Sequence, residues 1–155
     1  MTPLPEGATI HATAVLVGPR AVLIRGPAGS GKSRLVMTLL NMSATGLLPF
    51  ARLVADDRVL IEDRHGRLLV RPPAALAGLL EVRGLGLRRM PYEPAGVLGW
   101  IVDLGDQGAK RLPADEDLTA TLASVTLPRL AFRSCADPAA VLVAALRSRD
   151  ASSHR

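Results

Sequence analysis

The chain has few aromatic residues, one cysteine and no long apolar run. Aromatic residues make up 3% of its 155 residues. Cys135 is the single cysteine and so has no partner for an internal disulfide, and no cluster of Cys and His has the spacing of a structural metal site. No apolar run approaches the roughly 20 residues that a membrane-spanning helix needs, and the start, MTPLPEGATIH, lacks the features of a secretory signal. These absences predict a cytoplasmic protein with no membrane segment.

The charge balance is basic, but its pattern does not favour nucleic acid as a partner. The formal net charge is +5, with 19 Lys and Arg against 14 Asp and Glu. The arginines are scattered in runs no longer than two, and aromatic residues that could stack on bases are not nearby. A basic surface equally suits ATP or an acidic protein partner. We therefore expect no nucleic-acid partner.

Length and composition predict one α/β domain, because 155 residues with 48% apolar content suffice for a single core. Residues 1–8 and 148–155 lack apolar periodicity and are expected to be flexible tails around a domain at 9–147. Alternating or short apolar runs bounded by turn residues predict strands. The predicted strands are Ala12–Val17, Ala21–Ile24, Ala51–Ala55, Arg58–Glu62, Leu68–Val70, Leu79–Val82 and Gly99–Asp103.

Two helices are predicted. From Lys32, leucines and valines recur at helical spacing through about Ala44. A second helix runs from Asp137 to Leu146, with Asp137 as its N-cap and Pro138 at the first helical position. Because strands outnumber helices, a mixed sheet with few helices is favoured over a regular βαβ repeat.

The segment GPAGSGKS has the full G-x-x-x-x-G-K-[ST] pattern of a phosphate-binding P-loop. Its glycines let backbone N–H groups curl toward a phosphate, and the following helix adds its positive end. The motif follows an apolar strand and opens an amphipathic helix, which is the context that a P-loop requires. We therefore expect this loop to bind a nucleotide, with the lysine on the outer phosphates and the last serine on Mg²⁺. The loop consists of Gly26, Pro27, Ala28, Gly29, Ser30, Gly31, Lys32 and Ser33.

Two aspartates, Asp56 and Asp57, end the apolar strand that follows the P-loop helix. One carboxylate could hold Mg²⁺ through water, and the other could accept a proton from an attacking hydroxyl. Adjacent side chains on a strand point to opposite faces, so the two are not expected to do the same work. Without a P-loop before it, such a pair is more often a polar turn between strands.

Three further residues are candidates. A lone histidine such as His11 is more often an incidental surface residue than a functional one. Glu81 and Arg83 lie two positions apart in the segment EVRGLG, where the glutamate could be a metal ligand and the arginine a phosphate clamp. The same two residues could also form a surface ion pair.

In combination, these residues resemble the HPr kinase/phosphorylase family, in particular its catalytic domain. His11 precedes the P-loop by fifteen residues, the segment LVADDRV follows it, and LEVRGLGL resembles the family signature. The likeness covers roughly residues 10–90. It implies a fold related to phosphoenolpyruvate carboxykinase, a hexamer, and transfer of a phosphoryl group from ATP to a regulatory serine of an HPr-like phosphocarrier.

The resemblance also implies residue roles. Lys32 and the loop amides would hold the phosphates, and Ser33 and Glu81 the Mg²⁺, with Asp56 as a further candidate. Asp57 would take the serine proton in phosphorylation and return it in the reverse step. His11 would position or polarise the reacting group. A later active-site arginine of the family corresponds loosely to Arg111.

The chain departs from the family pattern in several places. The N-terminal domain has no counterpart, so the chain resembles the short form of some proteobacteria. Arg34 stands where an acidic residue is common, and residues 43–50 lengthen the connection from the P-loop to the aspartates. The Pro/Arg/Gly-rich segment linked to dephosphorylation is absent from 132–138, so the kinase direction is favoured over phosphorolysis.

Two other functions remain open at this point. The chain could be an ATP-binding regulatory or sensor module without significant phosphotransfer, although a pure sensor has no use for a base such as Asp57. It could also be a small-molecule kinase, but such enzymes usually have a lid over the acceptor, and only the loop 88–96 is a candidate for one.

Overall fold

A mixed β-sheet forms the centre of the computed structural model, which describes residues 8–134 and 136–148. Its elements comprise eleven strands, two α-helices and two short 3-10 helices at Ala74–Leu76 and Asp115–Leu118. The helices are α1 (Lys32–Ala44) and α2 (Pro138–Arg147). The strands are β1 (Thr9–His11), β2 (Thr13–Val17), β3 (Arg20–Arg25), β4 (Ala51–Ala55), β5 (Arg58–Arg64), β6 (Arg67–Arg71), β7 (Leu79–Val82), β8 (Gly86–Arg89), β9 (Gly96–Leu104), β10 (Thr119–Leu122) and β11 (Val125–Phe132).

Nine strands form one sheet, in the order β1-β5-β6-β9-β3-β2-β4, with β11 beside β9 and β10 beside β11. The pairs β3 with β9 and β9 with β11 are parallel, and the other pairs of this sheet are antiparallel. Strands β7 and β8 form a separate antiparallel hairpin. The predicted α/β class with a mixed sheet and few helices is confirmed.

Strand β3 is buried on both faces of the sheet. Because side chains alternate along a strand, Val22 and Ile24 pack into the core on the side of α1, and Ala21 and Leu23 pack into a second core on the opposite face. A parallel strand covered on both faces reads as a continuous apolar run, as this one does. The last residue, Arg25, therefore points to the face away from α1.

One edge of the sheet collects the residues predicted to be functional. The register places Thr13 opposite Ile24, Ala14 opposite Ala55, and Arg25 opposite Asp103. The carboxyl ends of β3, β4 and β9 and the amino end of β2 therefore meet at this edge. The P-loop leaves from β3 here, and the two aspartates follow β4.

Both predicted helices are confirmed, the first with its predicted bounds. In the second, Asp137 is the N-cap and its side chain accepts a hydrogen bond from the Ala140 N–H. The predicted strands are all present, but β1, β8, β10 and β11 were not predicted, and His11 lies at the end of β1. The predicted tails lie outside the described residues apart from Ala8 and Ser148. No helix in the described ranges is long and apolar enough to cross a membrane.

Candidate active site

The P-loop joins β3 to α1 and leaves the start of that helix open to an anion. Gly29 and Gly31 have φ angles of 80° and 100°, a region that favours glycine. Gly31 is the N-cap of α1, no side chain caps the helix, and its first turn has no acidic residue. The first N–H groups of a helix lack intrahelical partners, so these are free to bind phosphate oxygens.

The base of the loop rests on the end of β9. A Cβ on Gly26 would lie 2.7 Å from the Leu104 carbonyl oxygen and 2.6 Å from Ser30 Oγ, so only glycine fits there. Ser30 Oγ is buried and makes no hydrogen bond within the described residues. The glycine-lined cradle, the uncapped helix and this unpaired hydroxyl together fit a bound phosphate chain.

Lys32 folds back over its own loop. Its Nζ donates hydrogen bonds to the carbonyl oxygens of Gly26 at 2.7 Å and Pro27 at 3.2 Å. Burial lowers the pKa of Lys32 below its usual value, while the Asp56 and Asp57 carboxylates act in the opposite direction. The ammonium therefore lies in partly desolvated surroundings beside the loop, where a bound anion would favour its protonated form.

Asp56 is a buried carboxylate held from three directions, with 8% of its surface exposed. Its Oδ1 accepts from Thr13 Oγ1 at 2.8 Å and lies 3.4 Å from the Ser33 hydroxyl, and its Oδ2 accepts from the Glu81 N–H at 3.1 Å. The structure thus brings together Ser33, Asp56 and Glu81, the residues predicted to hold a metal. Their role as ligands stays a prediction.

No group of three or more His, Cys, Asp or Glu side chains is positioned to hold a metal within residues 8–134 and 136–148. Mg²⁺ commonly takes one or two protein carboxylates together with substrate phosphates and water. The donor set of Ser33 and Asp56, with Glu81 nearby, fits that pattern. It does not fit a metal that is caged by protein groups alone.

Asp57 differs from its neighbour in both exposure and partner. It lies in the turn between β4 and β5 with a φ of 68°, and its side chain is 67% exposed. His11 Nε2 lies 3.4 Å from Asp57 Oδ1. Asp56 therefore faces the P-loop helix from inside the protein, whereas Asp57 and His11 are open to solvent.

Arg83 lies close to the P-loop. It follows β7 in the turn to β8, and a Cβ on Gly29 would be 3.2 Å from Arg83 Nη2. The side chains of Glu81 and Arg83 are exposed. The hairpin of β7 and β8 thus presents a guanidinium to the phosphate cradle, as a phosphate clamp would require.

Arg111 is not brought to the P-loop by any hydrogen bond or ion pair of the described residues. It lies in the loop after β9 and lines a cavity of about 290 Å³ with Lys110, Asp117 and Arg129. Its predicted catalytic role gains no support from these contacts.

The loop 88–96 is not an unattached lid. Arg88 and Arg89 belong to β8, and Gly96 begins β9. Between them, the Met90 N–H donates to the Gly78 carbonyl and the Glu93 N–H donates to the Leu53 carbonyl, both at 2.8 Å. These bonds fix the segment to the hairpin and to β4.

Two features of this edge were missed by sequence reasoning. Thr13 is fully buried and bonds Asp56, and the only sign of this in the sequence is a hydroxyl residue in an otherwise apolar strand. Asp103 accepts hydrogen bonds from Arg25 and Arg129. Burial raises the pKa of Asp103, but these bonds outweigh it and the pKa lies below the usual value. A charged residue ending an apolar strand, the signal that identified Asp56, was present at Asp103 too.

Comparisons with known proteins indicate a family and a fold. Residues 3–90 match the family model for the HPr Serine kinase C-terminal domain. The HPr kinase/phosphorylase of Clostridium tetani is 35% identical over 134 residues, and that of Lactiplantibacillus plantarum is 32% identical over 124 residues. The alignments cover 77% and 79% of this chain but 42% and 34% of those proteins. The chain therefore spans less than half the length of these relatives.

A solved structure shows the same fold. The Hpr(Ser) kinase/phosphatase from Coxiella burnetii superposes with a TM-score of 0.72 at 20% sequence identity, over 90% of this chain and 94% of that one. The match to the family model covers more than half of the chain and includes the P-loop, both aspartates and the segment EVRGLG. The chain belongs to the HPr serine kinase family.

Proposed function

We propose that this chain is an ATP- and Mg²⁺-dependent protein-serine kinase whose substrate is an HPr-like phosphocarrier of the bacterial phosphotransferase system. The observation that carries the proposal is the meeting of three groups at one sheet edge. They are the P-loop with Lys32, the buried Asp56 beside Ser33, and the exposed Asp57 beside His11. Family membership supports the carrier as substrate.

The loop residues bind and orient the nucleotide. Backbone N–H groups at the start of α1 and the Lys32 ammonium would hold the phosphates, and Arg83 would add charge from the hairpin. Ser33 and Asp56 would hold Mg²⁺, with Glu81 nearby, and the bound ion would neutralise charge on the outer phosphates. Thr13 and the Glu81 N–H keep the Asp56 carboxylate in place.

Asp57 is the base in the proposed reaction. The serine hydroxyl of the carrier attacks the γ-phosphorus of ATP, the bond from that phosphorus to the bridging oxygen breaks, and ADP leaves. The serine proton passes to an oxygen of Asp57. His11 lies beside Asp57 and orients that carboxylate. The nucleotide phosphates and the base Asp57 would thus lie at one exposed edge, where a folded carrier can present its serine.

The proposal is tested by mixing the protein with an HPr-like carrier, ATP and Mg²⁺ and measuring phosphoserine on the carrier by mass spectrometry. We expect one added phosphoryl group, and much slower addition when Asp57 is replaced by Asn. If ATP binds but the carrier gains no phosphate, the chain is not a carrier kinase. That result would favour the alternative, an ATP-binding regulatory module without catalysis.

Several finer points belong to the same proposal. We propose a cytoplasmic homo-oligomer, a hexamer by family resemblance, with no nucleic-acid or membrane partner. Exposed Leu85, Leu87 and Leu112 support subunit contacts, because each has more than half of its surface in solvent. Light scattering at working concentration tests the oligomer, and a monomer mass would contradict it. Reverse phosphorolysis is expected to be weak, which incubation of phosphorylated carrier with inorganic phosphate would test.

A further inference from the structure

A second charged cluster lies at the same edge, on the sheet face away from α1. Arg25 holds Asp103 with two bonds, from Nε to Oδ1 at 2.7 Å and from Nη2 to Oδ2 at 2.8 Å. Arg129 Nε donates to Asp103 Oδ2 at 2.6 Å, and its Nη2 donates to Asp106 Oδ2 at 2.7 Å. Arg129 Nη1 also donates to the Asp117 carbonyl oxygen at 3.2 Å. Four charged side chains from β3, β9, β11 and the loop after β9 are thus bonded together.

The cluster is partly buried and electrically balanced. Asp103 is 15% exposed and Arg129 is 20% exposed. Two guanidiniums face two carboxylates, so the group carries no net charge. Low exposure and fork-shaped geometry make such pairs stronger than ordinary surface ion pairs. None of the four residues belongs to the P-loop motif.

The cluster ties together the two segments that form the base of the P-loop. Arg25 directly precedes Gly26, and Asp103 directly precedes Leu104. The Leu104 carbonyl is the oxygen that leaves no room for a Cβ on Gly26. One residue further on, a Cβ on Gly105 would lie 3.4 Å from the Pro27 ring. A shift of Asp103 relative to Arg25 would therefore change the contact of Gly26 with Leu104 and that of Pro27 with Gly105.

We propose that Asp103, acting through Arg25 and Arg129, is a positioning residue that sets the base of the P-loop for phosphate binding. The inference rests on the proposed nucleotide-binding function of the loop and adds residues to it. Without the Asp103 charge, Arg129 would keep only Asp106 and the Arg25 guanidinium would lose its carboxylate, so the ends of β3 and β9 would separate. The loop would then lose the fixed spacing between Gly26 and Leu104.

The opposite result is predicted if the cluster has no positioning role. Freed of Asp103, the Arg25 and Arg129 guanidiniums would add positive charge near the loop, and a phosphate ligand would bind more tightly. The substitution Asp103→Asn thus separates positioning from simple charge attraction by the sign of the change in affinity.

The experiment measures Mg²⁺–ATP affinity by titration calorimetry on the full chain and its Asp103→Asn variant. The titrations are run at a temperature well below the unfolding midpoint of each protein, which is measured beforehand by circular dichroism. We expect the dissociation constant to rise about tenfold, the scale seen when a supporting contact around a bound group is removed. An unchanged or lower dissociation constant overturns the proposal, even if the unfolding midpoint falls.

The matched control is Glu62→Gln. Glu62 also bonds two guanidiniums, those of Arg64 and Arg71, but it lies on β5 in a more exposed setting. We expect its loss to leave ATP affinity unchanged, and an equal loss of affinity would show that the effect is not specific to the P-loop base.

A second variant keeps the test decisive if Asp103→Asn does not fold. Arg25→Lys retains the charge but cannot span both Asp103 oxygens, so we expect a loss of affinity of a few-fold. Affinity equal to that of the unaltered chain overturns the proposal. The outcome is distinct from failure of the proposed kinase function, which would show as ATP binding by the unaltered chain without phosphoserine on the carrier.

Discussion

The Thr13 hydroxyl donates a hydrogen bond of 2.8 Å to Asp56 Oδ1, between a fully buried threonine and an aspartate that is 8% exposed. The bond fixes the carboxylate that faces Ser33. A buried carboxylate needs such donors because leaving it unpaired costs its full desolvation energy.

The first prediction follows from that bond. Thr13→Val keeps the shape of the side chain but removes the donor, so the free energy of unfolding should fall by about 1–3 kcal/mol. Mg²⁺–ATP affinity should fall too, because Asp56, the carboxylate proposed to hold the metal, loses a fixed orientation. Urea unfolding and titration calorimetry measure the two effects. Thr121→Val on exposed β10 is the control, since Thr121 bonds only Thr126 among the described residues, and it should change neither.

The second prediction concerns Lys32, whose ammonium is partly buried and is proposed to bind the nucleotide phosphates. Lys32→Met should weaken ATP binding by about a hundredfold or more, since a charge-assisted contact to phosphate is lost. The free energy of unfolding should stay the same or rise, because a desolvated charge is removed. Calorimetry and urea unfolding measure both.

The matched control for Lys32 is the other lysine of the chain, Lys110, which pairs with Asp117 at 2.9 Å on the surface. Lys110→Met should leave ATP binding unchanged. Equal loss of binding in both variants would contradict a specific role for Lys32 and indicate a general effect of net charge.

The third prediction separates chemistry from binding at Asp57. Asp57→Asn should lower the rate of carrier phosphorylation by about 10²–10⁴-fold, the range for loss of a general base. ATP affinity should change little, because the Asp57 side chain is 67% exposed and solvent screens its charge. Asn tolerates the positive φ at this position, so the fold should be kept.

Asp63 offers a matched control for Asp57. It too is an exposed aspartate next to a turn, where its Oδ1 accepts from the Gly66 N–H. The Asp63→Asn variant of the protein should phosphorylate the carrier at the normal rate. Carrier phosphorylation that survives Asp57→Asn at more than a tenth of the normal rate would rule out Asp57 as the base.

The fourth prediction uses the lowered pKa of Asp103. A carboxylate whose pKa is lower in the folded than in the unfolded chain contributes stability above its ordinary pKa of 3.8, and this is lost as the pH falls through the folded value. At pH 7, Asp103→Asn should reduce the free energy of unfolding by about 2 kcal/mol. The difference between the variant and the unaltered chain should shrink below pH 4. Urea unfolding across this range measures it, and a difference independent of pH would argue against an ionised Asp103.

Local patterns predicted the elements that have strong periodicity and clear ends. Helix α1 was found with its bounds because leucines recur at helical spacing before Gly46, which accepts the required positive φ. Strand β11 was missed because Pro128 removes a backbone donor and usually argues against a strand. Strand β9 was predicted to begin at Gly99 and not at Gly96, because glycines in a strand pattern are usually taken as breakers. In the fold they let neighbours approach, and a Cβ on Gly99 would lie 2.7 Å from Arg20 Cβ.

The site residues at strand ends could be predicted from the sequence. The contacts between residues far apart in the sequence could not. Asp56 could be placed near the P-loop because it ends the apolar strand that follows the P-loop helix. In the sheet β2 lies between β3 and β4 and is antiparallel to both, so the carboxyl ends of β3 and β4 share one edge. The bond between Arg25 and Asp103 joins residues 78 positions apart. Only the parallel register of β3 with β9 brings those two residues together, and neither composition nor spacing encodes that register.

The Glu81 N–H donates to the Asp56 side chain instead of to a neighbouring strand, and this gives the protein a built-in reporter. In a nuclear magnetic resonance spectrum, the frequency of that single amide depends on the charge and position of the carboxylate that it contacts. Adding Mg²⁺ with a nucleotide should move this resonance. Adding nucleotide without the metal should move it less. Occupancy of the proposed metal position can therefore be followed from one backbone signal, with no label attached to the site.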